Sequence, residues 1–199
     1  LCGYDENGFL LESVEGGEKI ARYSFLGWRP RKQVHYRENQ VEIVTAEGRE
    51  EKSIDIFTYL QEDFQQYKFV PNPELPRFCG GMVGYFGYDV VRYVEKKLEN
   101  SMPPDEMDIP DVLLLLSEEL IIFDNLAGTI TLVVHADPSV DNAYDHFHSK
   151  LDGLEKKLES ASIDTKLNDV KGDKISEQSF VSSFGEEPYK NAVLKIKDY

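Results

Sequence analysis

Basic residues are scarce in this chain. Against 37 Asp and Glu it carries 22 Lys and Arg, a formal net charge of −15 over 199 residues. A field of that sign repels phosphate backbones and anionic lipid, which argues against nucleic-acid and membrane-surface partners. Cysteine is nearly absent, and Cys2 and Cys79 make neither a disulfide framework nor a four-thiolate zinc site. No apolar run approaches the roughly 18 residues of a membrane span, and the longest candidate, Val112 to Leu116, is one short strand. No succession of charged, apolar and cleavage-site segments marks a signal peptide. These absences leave the cytosol as the default compartment. Two phosphate-cradling glycine patterns are missing as well, the G-x-G-x-x-G and the P-loop. What is present is 41% hydrophobic and 12% aromatic content, enough to bury a core and to exclude wholesale disorder.

Apolar spacing divides the chain into elements. Phe9 to Val14 is a strand, closed by Gly16 and Gly17, and Arg22 to Leu26 is a second, ended by Gly27 and Pro30. Gln33–Arg37 and Gln40–Thr45 alternate around Glu38-Asn39, which suits a tight hairpin. Ser53 is placed to cap a helix with Ile54, Phe57, Leu60 and Phe64 on its apolar face. A Pro-rich connector, Pro71 to Pro76, leads into the glycine-rich stretch Phe78 to Tyr88, and an acidic loop follows from Met102 to Pro110. Val112–Leu116, Leu120–Phe123 and Thr129–His135 read as strands, and 141–160 as a helix with Ala143, Phe147, Leu151, Leu154 and Leu158 on one stripe. Adjacent strands joined by short turns argue for an antiparallel α+β fold with packed helices rather than a βαβ array. Three divisions are expected: a domain over 1–160, a polar linker over 161–183, and a closing helix within 184–199. That helix has no stop signal, and the chain opens on Leu1. Both features suggest a piece of a longer protein, with chemistry beyond Tyr199.

The motifs admit plain readings. Gly80, Gly81, Gly84 and Gly87 suit a buried strand onto which a neighbouring layer closes, with Phe78, Tyr85, Phe86 and Tyr88 filling the space beside it. His146 and His148 point apart on a helix and lack a third ligand, so a solvated surface is preferred to a metal site. Arg29, Arg31 and Lys32 form a basic island, read as a solvated strand-end cluster. The first strand is more informative. Alternation puts Phe9, Leu11 and Ser13 on one face and Leu10, Glu12 and Val14 on the other, so either inward face carries a polar group. A buried carboxylate or hydroxyl needs a partner, which is either a protein group or a ligand.

Four segments carry a resemblance. The stretch FLLESVEGGEKIARYSFLG over 9–27 and FCGGMVGYFGYDVVRYVEKKL over 78–98 resemble the anthranilate synthase component I family of chorismate-utilising enzymes. PDVLLLLSEELIIFDN over 110–125 and EPYKNAVLKIKDY over 187–199 are similar to the same family, in the same order. The resemblance implies the N-terminal part of the large anthranilate synthase/aminodeoxychorismate synthase α/β sandwich. It also implies a whole protein that converts chorismate to anthranilate and pyruvate in tryptophan biosynthesis. Magnesium would be its cofactor, a glutamine amidotransferase subunit its ammonia-supplying partner, and L-tryptophan its feedback inhibitor. No catalytic or metal-binding residue of the family can be placed in this chain. The Leu-Leu-Glu-Ser element, with Leu11, Glu12 and Ser13, maps to the inhibitor pocket, and Lys19 and Arg22 compete for a basic position that follows it. Two other readings stand beside this one: the aminodeoxychorismate synthase large subunit, and a stand-alone amino-acid-binding or interaction module.

Overall fold

The computed structural model describes residues 7–12, 22–99, 105, 108–160 and 181–198. The chain divides into two compact units, Leu1–Ser160 and Ala161–Tyr199. The first unit holds two antiparallel sheets. Sheet 1 contains β1 (Gly8–Leu11), β2 (Tyr23–Trp28), β8 (Glu119–Asp124) and β9 (Thr129–Val134) in the order β1-β2-β8-β9. Sheet 2 contains β3 (Lys32–Arg37), β4 (Gln40–Thr45), β5 (Gly48–Ser53), β6 (Gly81–Phe86) and β7 (Val112–Ser117) in the order β5-β4-β3-β7-β6. The helices are α1 (Ile56–Phe64), the single turn α2 (Val91–Val94) and α3 (Ala143–Ser160), with α4 (Glu186–Lys197) in the second unit. The α+β, antiparallel architecture is the one the strand pattern predicts.

Two links join the sheets at one corner. Residues 29–31 carry the chain from β2 into β3, and Glu118 alone carries it from β7 into β8. The two crossings run side by side, since Gly27 pairs with Leu120 in sheet 1 and Lys32 with Leu116 in sheet 2. An added Cβ on Gly27 would overlap the Phe9 ring and crowd the Ser117 hydroxyl, so β2 continues through this glycine instead of ending there.

Three cores follow from strand alternation. In sheet 2, Val34, Tyr36, Val41, Ile43 and Val112 pack beneath Ile56, Tyr59 and Leu60 of α1. One face of sheet 1 packs Phe25, Leu120 and Ile122 against Phe78 and Cys79. Its other face packs Leu26, Ile121 and Leu132 against Leu154 and Leu158 of α3. Strand β8 is thus covered on both sides, which is why its apolar residues run consecutively instead of alternating. In the β3–β4 turn Glu38 and Asn39 both adopt left-handed φ, 51° and 61°, as a two-residue type I′ hairpin requires.

Four local expectations are corrected. Ser53 belongs to β5, an edge strand exposed at every residue and therefore lacking any apolar signal. Asp55 caps α1 instead, accepting from the Thr58 N–H at 2.9 Å. The later start rotates the helix, so Ile56, Tyr59 and Leu60 are buried while Phe57 and Phe64 are exposed. The glycine-rich strand β6 is an edge strand rather than a buried one. Its close-approach reading holds at Gly84, where an added Cβ would overlap the Leu113 carbonyl oxygen. Of the aromatics in this stretch Phe78 packs in the sheet 1 core, while Tyr85, Phe86 and Tyr88 are exposed, Phe86 stacking on Phe57 with 6.4 Å between ring centroids. Last, Lys32 is not solvated but only 8% exposed.

In the second unit, α4 places Glu186 and Glu187 in its first turn and Lys195 and Lys197 in its last, each charge complementing the helix dipole. The linker expected over 161–183 lies outside the described residues up to position 180.

Candidate functional site

Antiparallel pairing sets Leu11 opposite Phe25, so the end of β1 and the start of β2 share one end of sheet 1. Strand β8 finishes at the same end, since Tyr23 pairs with Asp124. Of the residues expected to form an inhibitor pocket, Leu11, Glu12 and Arg22 are therefore gathered there. Ser13 and Lys19 lie outside the described residues. Glu12 follows the last residue of an edge strand and is exposed, and Leu11 is 46% exposed. The inward face of β1 is the one that bears Phe9, which packs on the sheet 1 core, and alternation puts Glu12 on the other face.

Arg22 has a partner 102 positions away in sequence. Its Nε donates to both carboxylate oxygens of Asp124 at 3.0 Å, and its Nη2 donates to Oδ2 at 2.6 Å. The same carboxylate accepts the N–H groups of Leu126 and Ala127 at 3.1 and 3.0 Å, fixing the β8–β9 turn. These donors, Arg22 foremost, lower the Asp124 pKa to about 2. On the other side of the turn, the Asn125 side chain donates to the Ser24 hydroxyl at 3.3 Å. Sequence reasoning missed Asp124 and Asn125. The one local signal was an Asp-Asn pair opening a turn that ends in Gly128.

The end of sheet 1 therefore offers the Glu12 carboxylate and apolar side chains beside an Arg22 guanidinium whose fork is filled by Asp124. A carboxylate set among apolar side chains suits a ligand that carries an ammonium on an apolar body. Among the described residues, no group of three or more His, Cys, Asp or Glu stands together to hold a metal ion. The magnesium implied by the resemblance finds no fitting donor set in them. His148 pairs with Asp152 on the exposed side of α3 at 3.4 Å. No helix among these residues is long and apolar enough to cross a membrane.

The family profile described as chorismate binding enzyme matches residues 6–199. The chain belongs to that family. Among curated relatives of the family, it is 42% identical to anthranilate synthase component 1 of Pseudomonas aeruginosa over 97% of its length, and 38% identical to that of Acinetobacter calcoaceticus over 96%. It is 33% identical to anthranilate synthase component 1 of Acetivibrio thermocellus over 96% of its length. The chain spans about 40% of the length of these relatives. The crystal structure of anthranilate synthase component I from Streptococcus pneumoniae TIGR4 superposes with a TM-score of 0.59 over 82% of this chain and 34% of that one, at 23% identity. That likeness bears on the fold alone.

Proposed function

We propose that this chain is the N-terminal, regulatory portion of an anthranilate synthase component I. The observation that carries this reading is the 42% identity to the Pseudomonas aeruginosa protein of that name, extending over 97% of the chain. In this reading the whole protein is a lyase that converts chorismate to anthranilate and pyruvate for tryptophan biosynthesis. It works in the cytoplasm, with ammonia delivered by a glutamine amidotransferase subunit. Magnesium and its ligands belong to the part of the protein outside this chain.

The end of sheet 1 is then the tryptophan site. Glu12 receives the ligand ammonium, and the Ser13 hydroxyl bonds a polar end. Leu11 supplies apolar wall, and the basic member is Lys19 or Arg22, the latter already engaged by Asp124. The remaining wall comes from the rest of the protein. Tryptophan combines two opposite charges with an amphipathic indole, so polar groups set in an apolar wall suit it.

Product identity tests the enzyme class. With chorismate and ammonia, the full-length protein should release fluorescent anthranilate directly, without a second lyase. Accumulation of a non-fluorescent amino-chorismate instead would assign it to the aminodeoxychorismate branch. The 199-residue chain alone should turn over no chorismate, with ammonia or with glutamine and the partner subunit. Measurable turnover would overturn the placement of the catalytic groups outside it.

A further inference from the structure

The corner where both strands cross between the sheets forms a half-open cavity of about 850 Å³, within the range of roughly 300–1,000 Å³ typical of small-molecule sites. Trp28, Tyr67 and Leu154 contribute apolar wall. Its charged lining comprises Arg29, Arg31, Lys32, Lys150 and Lys157 against Glu47, Glu118 and Glu119. Lys32 is already held by Asp63 outside the lining, which leaves four bases against three acids, a balance opposite in sign to the whole chain's net charge of −15. Two of the acids are already held, Glu118 by Arg31 at 2.8 Å and Glu119 by Lys150 at 3.0 Å. Lys157 has no side-chain partner among the described residues, which leaves an ammonium without a counterion on the wall.

Two further features point to a ligand rather than to an accident of packing. Helix α3 faces the cavity with Lys150, Gly153, Leu154 and Lys157, an i, i+3, i+4, i+7 stripe. A glycine in the middle of a helix costs about 1 kcal/mol relative to alanine. Packing does not demand this one, because a Cβ added to Gly153 would meet nothing within 4 Å. A long side chain at this position would extend into the space between the two lysines. On the opposite wall Arg29 adopts φ of 49°, a left-handed conformation that is uncommon for arginine and is found at functional sites more often than elsewhere.

We propose that this corner cavity binds a small polyvalent anion, carboxylate or phosphate, between the β2–β3 link and the lysine face of α3. It is separate from the end of sheet 1 that bears Arg22, the two lying at opposite ends of β2, on the order of 20 Å apart at strand rise. Calorimetric titration of the full-length protein with inorganic phosphate, and in a second arm with succinate, at constant ionic strength tests it. One saturable site should appear for at least one anion, and the preferred arm identifies the ligand class. Lys157→Gln should weaken that binding roughly tenfold, the loss of one charge-assisted bond. Lys156→Gln, an exposed neighbour outside the lining, should leave it unchanged. Gly153→Leu should block it while the melting temperature holds or rises, since leucine favours the helix and meets only open space. The proposal is overturned if neither anion saturates, if Lys156→Gln weakens binding as much as Lys157→Gln, or if Gly153→Leu leaves affinity intact.

Discussion

At the residue scale, the Arg22–Asp124 pair ties the start of one strand to the turn that ends another. The Asp124 pKa of about 2 lies below the roughly 3.9 of a free aspartate, so the pair favours the folded state wherever the unfolded carboxyl would be ionised. That contribution is complete above about pH 4 and is lost as pH falls through 2. Arg22→Gln should move the Asp124 titration up toward the ordinary carboxylate range, read by NMR of its side-chain carbonyl. An unmoved titration would assign the shift to the turn N–H groups instead. The first two strands were legible in the sequence from their apolar residues. The partner of Arg22 was not, because a contact spanning 102 positions is fixed by strand order, which local pattern does not encode.

Among the elements, α1 is fastened to β3 by a buried ion pair. The Lys32 ammonium donates to Asp63, and to the Tyr67 hydroxyl at 3.1 Å. Lys32 and Asp63 are 8% and 4% exposed, so removing one charge strands the other away from water. Lys32→Ala should therefore cost about 3–5 kcal/mol in urea unfolding. Lys32→Met combined with Asp63→Leu should recover most of it, since a volume-matched apolar pair needs no desolvation. Equal losses in the single and double variants would show that the pair holds nothing in place. Strands β2, β3, β4, β7, β8 and β9 were legible because apolar residues mark their buried faces. Strand β5 carried no such mark, being charged and exposed throughout, and its omission displaced the start of α1 and turned the wrong face of that helix inward. The basic island was legible as a cluster, but the burial of Lys32 depends on Asp63 arriving from a helix 31 positions away.

At the scale of the whole molecule, two sheets crossed by two adjacent links set two separate clusters of charged and apolar side chains at opposite ends of β2. One bears Glu12 and Arg22, and the other is the basic corner cavity. Under the proposed function, the first of these carries tryptophan regulation. Its most direct test is the tryptophan inhibition constant of the full-length enzyme bearing Ser13→Ala or Glu12→Gln, measured beside chorismate kinetics and melting temperature. Loss of a hydrogen bond to a charged group forfeits about 1.5–3 kcal/mol, so each variant should weaken inhibition roughly ten- to a hundredfold. Chorismate kcat and KM should stay near wild type. An unchanged inhibition constant accompanied by a lowered melting temperature would contradict the claim and leave both side chains a purely structural role.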